Sequence, residues 1–91
     1  MDTFTIDCSE ISSELQFWHA YLAAVNPDGA AVFGRNLDAF RDAVIDGGPG
    51  WPGECSLHII NTELLRTNVP QLYQGLRSIA AESSLAHIWL Q

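Results

Sequence analysis

The 91-residue sequence predicts a small two-layer α/β domain, in which a three-stranded parallel sheet is covered by helices. Short apolar segments typical of strands alternate along the chain with longer segments of helical periodicity. The connections between strand segments are long enough to contain helices, as parallel pairing and right-handed crossovers require. No linker, internal repeat or low-complexity run divides the sequence, so we expect a single domain over residues 1–91.

The first half of the chain predicts one strand and two helices. Residues 3–7 alternate polar and apolar, as a half-buried strand does. Ser12 can cap a helix that runs to about Val25, and residues 26–29 form the turn that ends it. Its apolar stripe consists of Ile11, Leu15, Trp18, Leu22 and Val25.

A shorter helix follows within residues 33–44, which read FGRNLDAFRDAV. Asn36 is its expected N-cap, and Leu37, Phe40 and Val44 are spaced to face the core. Residues 47–53 contain too much Gly and Pro for a regular element, so they predict a loop.

The second half predicts a strand, a helix and a final strand. Residues 56–60 are almost wholly apolar if His58 packs inside. Asn68 and Pro70 mark the start of a helix, and residues 85–90 form the third strand. The inward stripe of this helix is Val69, Leu72, Tyr73, Leu76, Ile79 and Ala80.

The charge of the chain indicates what it binds. Eleven acidic residues face four arginines and no lysine, which gives a net charge of −7. This excess disfavours RNA, DNA and anionic membranes, and it favours a basic protein partner. The N-terminus lacks the features of a signal peptide, and no apolar run approaches the ~20 residues of a membrane helix. We therefore expect a cytoplasmic protein.

Sulfur and metal chemistry are weakly supported. Cys8 and Cys55 could form a disulfide, although both lie at the edges of apolar strand segments, where buried free thiols are more usual. Cys55-x-x-His58 could supply half of a metal site, but no second pair has ligand spacing. We expect structural histidines, no metal and no cofactor.

The carboxylates of Asp38 and Asp42 are predicted to lie four residues apart on an exposed helix face, where like charges destabilise a helix slightly. A solvated helix face explains the pair without any function, especially because Asp38 is near the positive helix N-terminus. A positive surface on a partner is the alternative explanation.

Residues Phe33 to Asp42 read aromatic-Gly-x-Asn-x-Asp-x-x-x-Asp, and in this motif the chain resembles the barstar family of intracellular ribonuclease inhibitors. The order of predicted elements is similar to that family over nearly the whole chain, although only the central motif is specific. The resemblance favours the partner interpretation of the two aspartates.

The resemblance implies that the acidic helix and the preceding loop plug a ribonuclease active site. Asp42 would take the place of the scissile phosphate and pair with catalytic Arg and His, while Asp38 would accept hydrogen bonds at the rim. A monomer would bind a basic ribonuclease 1:1, without catalysis and without contacting nucleic acid. The expected partner contacts are Val32, Phe33, Gly34, Asn36, Asp38, Arg41, Asp42 and Asp46.

Three positions depart from barstar. Val32 stands in place of a tyrosine, Arg41 in place of a tryptophan, and Ser78 in place of an acidic contact on the last helix. Aromatic area or negative charge is lost at each, which leaves open which ribonuclease is the target. We also expect Gly34 to adopt a backbone conformation closed to other residues.

Two other functions fit the sequence less well. The chain could be an antitoxin or immunity protein for another basic toxin. It could also be a small enzyme that uses Asp38 with Asp42, Glu54 or Glu63 as an acid–base pair. Against the enzyme stand the small size of the domain, measured against a pocket of ~300 Å³ or more, and the lack of a nucleophile–base or metal motif. Trp51 is either an interface anchor or a cover for the edge of the core.

Overall fold

A computed structural model describes residues 2–27, 29–83 and 86–91. Its sheet is parallel with the order β1-β2-β3, which confirms the predicted small α/β fold. The strands are β1 (Asp2–Asp7), β2 (Cys55–Ile60) and β3 (Ala86–Leu90). The helices in the described ranges are α1 (Glu14–Val25), α2 (Leu37–Asp46), α3 (Glu63–Asn68) and α4 (Pro70–Glu82), with a short 3-10 turn at Ala30–Val32. Asp28 of the predicted turn and Leu85 of the predicted third strand lie outside the described residues.

The sheet has one apolar face and one open face. Ile6, Ile59 and Leu90 share a row on the apolar face, where the helices pack. The alternate positions point the other way. His58 is on this open face, half-buried, with its ring centroid 6.3 Å from that of Trp89, so it does not pack inside the core. A helix layer on one face only leaves the other face to polar residues, Ile60 and Trp89, of which Trp89 is exposed.

Helix α1 begins one residue later than predicted and is turned slightly about its axis. Ser13, rather than Ser12, is the N-cap, and its hydroxyl accepts a hydrogen bond from the Gln16 amide. Leu15 is exposed, contrary to prediction. The buried face of α1 consists of Trp18 and Val25, as predicted, together with Phe17 and Tyr21. Three aromatic rings on this face remove more apolar area from water than Leu15 could.

Helix α3 is an element that the sequence did not predict. It follows β2 directly, and it ends where Pro70 begins α4, since proline fits the first turn of a helix better than its interior. Asn61, which has a φ of 56°, makes the turn between β2 and α3. The Asn61 side chain donates to Asp7 Oδ1 over 3.0 Å, which lowers the pKa of Asp7. Among the described residues, no helix is both long enough and apolar enough to cross a membrane.

The two cysteines are buried free thiols, as expected. The register pairs Cys55 with Asp2, whereas Cys8 follows Asp7 at the other end of β1. At ~3.3 Å per strand residue this separation is far beyond the reach of a disulfide. Burial, and secondarily the neighbouring Asp7 charge, raise the pKa of Cys8 to about 11.

We predict that Leu76→Ala lowers the free energy of unfolding by about 2–5 kcal/mol, the usual range for a buried leucine. Leu76 lies on the inner face of α4 and is fully buried. Urea unfolding would measure the change, with the exposed Gln74→Ala in the same helix as control. If the two variants unfold at the same urea concentration, the assigned inner face of α4 is incorrect.

A second prediction concerns alkaline pH. Because the pKa of Cys8 is raised in the folded state, the neutral thiol stabilises the fold below the ordinary thiol pKa of 9.0. That contribution is lost as the pH rises through about 11, because the unfolded chain ionises first. The free energy of unfolding should therefore fall over this interval, and less steeply in Cys8→Ala. Equal slopes for the two proteins would contradict the assignment.

Candidate protein-binding site

Helix α2 carries an acidic stripe made of Asp38, Asp42 and Asp46. The three residues recur at intervals of four, so their side chains share one face of the helix, and all three are exposed. Among the described residues, none of the three carboxylates forms an ion pair. The stripe is thus a line of uncompensated negative charge, which repels itself and attracts a basic surface.

The scaffold holds α2 firmly at its N-terminal end. The side chain of Asn36 accepts a 2.7 Å hydrogen bond from the Ala39 amide, which confirms the predicted N-cap. Phe40 and Val44 are completely buried, as predicted. Leu37 packs so closely on α4 that a Cβ at Gly75 would overlap its side chain. These contacts fix the direction in which the opposite, acidic face points.

The C-terminal end of α2 shapes the position of Asp42. Gly47 ends the helix with a φ of 75°, a left-handed conformation suited to glycine. The next amide, that of Gly48, donates to the Asp42 carbonyl over 3.1 Å. The Asp42 carboxylate lies directly over Gly48, where a Cβ would overlap Oδ2. Gly48 therefore makes room for the carboxylate. Its role is not visible in the sequence, because a glycine in a Gly/Pro-rich loop carries no specific signal.

The turn before α2 corrects two expectations. Phe33 is only 3% exposed, so its side chain supports the turn from within the core and cannot form the predicted partner contact. Gly34 does not have a positive φ, whereas Arg35 does, at 51°. Gly34 instead allows a close approach, since a Cβ there would lie 3.0 Å from the Ala39 Cβ. Val32, at 71% exposed, is available for contact.

Arg41 is paired within the chain. Its Nη1 contacts Oε2 of Glu82, the last residue of α4, and both side chains are half-exposed. Arg41 is thus at the surface beside the acidic stripe, and its positive charge is paired with a carboxylate of α4. Nothing in the motif points to Glu82, because the two residues are 41 positions apart in the sequence.

The loop at residues 47–53 is irregular, as predicted, and it is anchored to α1. The Tyr21 hydroxyl donates to the Gly50 carbonyl over 2.9 Å, and this bond is buried. Gly50, with a φ of 89°, lies against the ring of Phe33. Trp51 is 39% exposed and stacks beside Gly47, so it both covers the loop and presents part of its ring near the acidic stripe.

Two open clefts bear on the enzyme alternative. One, of about 640 Å³, lies at the carboxyl ends of the strands and includes Glu63. The other, of about 420 Å³, lies beside the loop and includes Gly48 and Trp51. The expectation that the domain lacks space for such volumes is therefore wrong. The second cleft, the one next to the acidic stripe, has no titratable side chain among its described lining residues.

Metal binding has no support in the geometry. Within the described residues, no group of three or more His, Cys, Asp or Glu side chains is arranged to hold a metal ion. Cys55 and His58 point to opposite faces of β2, because they are three positions apart in a strand.

The chain matches one known protein family over nearly its whole length. Residues 1–87 match the family described as Barstar (barnase inhibitor), and the match includes the acidic stripe, the preceding turn and Gly48. No curated protein matches the chain.

We predict that Gly48→Ala displaces the Asp42 carboxylate while leaving the fold intact. The backbone of Gly48 is not left-handed, so alanine is tolerated, and the atom it would meet is at the end of a rotatable side chain. The side-chain carboxyl ¹³C resonance of Asp42 should shift, with a melting temperature within a few degrees of the wild type. Gly53→Ala is unsuitable as a control because Gly53 has a positive φ. The control is Ala81→Gly, which changes one methyl group at an exposed position of α4. An unmoved Asp42 resonance would contradict the role of Gly48.

Proposed function

We propose, because the chain belongs to the barstar family, that it inhibits a small basic ribonuclease by placing α2 in the enzyme's active site. Members of this family are inhibitors rather than enzymes. The observation that carries the proposal is the acidic stripe on a rigid helix, exposed and free of ion pairs among the described residues.

The chemistry of the target explains why such a stripe would inhibit. A ribonuclease gathers positive charge to hold a phosphodiester and to stabilise its transition state. A carboxylate in that site accepts short, charge-assisted hydrogen bonds from Arg and His, as a phosphate would. Asp42, held over Gly48 near the middle of the stripe, is the carboxylate that we assign to the phosphate position, with Asp38 at the rim.

Rigidity and charge both favour the complex. Because α2 is capped by Asn36 and packed through Phe40, little ordering entropy is lost on binding. The net charge of −7 attracts a basic enzyme from a distance and increases the rate of encounter. We further propose a monomer that forms a 1:1 complex in the cytoplasm, where it protects RNA without touching it.

A different basic toxin is the second candidate, and it is favoured by the three departures from barstar. Val32 is highly exposed, Ser78 is exposed and neutral, and Arg41 is engaged by Glu82. A target whose surface fits barstar's tyrosine, tryptophan and α4 carboxylate would lose those contacts here. A pull-down with the full chain as bait, and Asp42→Ala as the matched negative bait, would identify which basic protein depends on the stripe.

We predict that Asp42→Ala weakens inhibition by more than about 2 kcal/mol, the general hot-spot level, for which the best-known extreme is the barnase–barstar complex itself. The loss arises because buried cations of the enzyme are left without a counter-charge. Inhibition constants would be measured against the ribonuclease recovered in the pull-down. Glu10→Ala, an exposed acidic residue in the turn after β1, is the charge-matched control.

Two outcomes would contradict the placement of Asp42. One is a loss below about 1 kcal/mol, which is too small for a hot spot. The other is an equal loss in Glu10→Ala, which would show that only the total charge matters. Gly48→Ala adds a third comparison, because it keeps the charge and moves only the carboxylate, and it should weaken inhibition in the same direction.

A further inference from the structure

Arg41 has two acidic neighbours on its own helix, yet it pairs with neither. Asp38 is three residues before it, at a spacing that brings side chains together on a helix surface. Asp42 is the next residue along the chain. The guanidinium instead contacts Glu82 at the end of α4. The only cation of α2 is therefore directed away from the acidic stripe.

Stability alone does not explain Glu82. An acidic side chain in the last turn of a helix meets the negative end of the helix dipole, which is unfavourable. The ion pair joins two half-exposed side chains, and such surface pairs contribute only about 0–1 kcal/mol. The ion pair matters more for the charge of α2 than for stability, because it decides whether Arg41 neutralises Asp38.

We propose that Glu82 is a positioning residue, which holds Arg41 away from the acidic stripe and so keeps Asp38 and Asp42 uncompensated for a basic partner. The proposal rests on the inhibitory function proposed above. Without Glu82, the guanidinium turns to Asp38, and the stripe presents one negative charge fewer where the partner's cations arrive. Glu82 thus acts on binding through Arg41 and not through a contact of its own.

The decisive test uses the free protein, so that it does not depend on the identity of the target. In Glu82→Ala, the side-chain carboxyl ¹³C resonance of Asp38 should shift, and new contacts should appear between the side chains of Arg41 and Asp38. Glu63→Ala removes an exposed glutamate from the first turn of α3 and should change neither signal. An unchanged Asp38 resonance in Glu82→Ala overturns the proposal, whatever the ribonuclease does.

Association kinetics measure the consequence, with barnase as the probe at two ionic strengths. Glu82→Ala should lower the association rate constant by about threefold more than Glu63→Ala does, and the difference should shrink at high salt. Arg41→Gln should raise the rate more in the Glu82→Ala background than in the wild-type background, since the cation covers Asp38 only when Glu82 is absent. If Glu82 were only a structural staple between α2 and α4, the two gains would be equal, and equal gains overturn the proposal. If wild-type chain does not bind barnase, the choice of barnase as target is wrong, and the resonance of Asp38 still decides the role of Glu82.

Discussion

The position of the acidic stripe depends on four aromatic rings that meet in the core beneath α2. Trp18 and Tyr21 come from α1, Phe33 from the turn and Phe40 from α2, with ring centroids 5.2–6.4 Å apart in the contacting pairs. All five contacts are edge-to-face or tilted, which suits the quadrupole of an aromatic ring. The cluster joins three consecutive segments into one unit, so the turn and α2 cannot move independently of α1.

The same cluster reaches the loop through a single polar atom. The Tyr21 hydroxyl holds the Gly50 carbonyl, and Gly50 in turn lies against Phe33. Burial of Tyr21 raises the pKa of its hydroxyl, so the proton that makes this bond is retained. The loop that places Gly48 under Asp42 is therefore fastened to the core that also supports α2. The aromatic cluster therefore both packs the core and fixes the position of the Asp42 carboxylate.

A line of like charges needs such a support. Asp38, Asp42 and Asp46 repel one another along α2, by a few tenths of a kcal/mol for each pair. A helix with weak tertiary contacts would fray under that repulsion. Here Phe40 and Val44 are fully buried on the opposite side, and burial of such side chains stabilises by ~1.5–3 kcal/mol each. The stabilisation from packing exceeds the repulsion, which allows the stripe to remain exposed, without an ion pair in the described part of the chain.

Periodicity and caps predicted the elements that obey local rules. Parallel pairing of the strands followed from the length of the connections, and the N-cap Asn36 from the preference for a side-chain acceptor at a helix start. Two apolar stripes overlap on α1, which is why its inner face was predicted only in part. The stripe with the aromatic residues faces the core, and Leu15, on the other stripe, is exposed. Helix α3 was missed because a six-residue helix has too little sequence to show a period.

The site was predictable only as far as it lies on one helix. The spacing of Asp38 and Asp42 indicated their common face, and the motif around them indicated the family. Phe33 was predicted to contact a partner because it is an aromatic residue in a binding motif, whereas its ring is buried in the core. Gly48 and Glu82 act through space on residues already identified, so no local pattern could reveal them.

The placement of Arg41 shows how the charged surface of this chain differs from a plain acidic patch. The middle of α4 exposes the cation Arg77 and the neutral Ser78 but no carboxylate, and Glu82 at its end is neutralised by Arg41. Helix α4 therefore adds little field of its own next to α2. The acidic residues of α2 itself all lie on the one line from Asp38 to Asp46, about 12 Å long at 1.5 Å per helical residue. On the proposed function, such a surface suits a target with a narrow cationic cleft, and it penalises a broad basic surface that would also meet the Arg41 guanidinium.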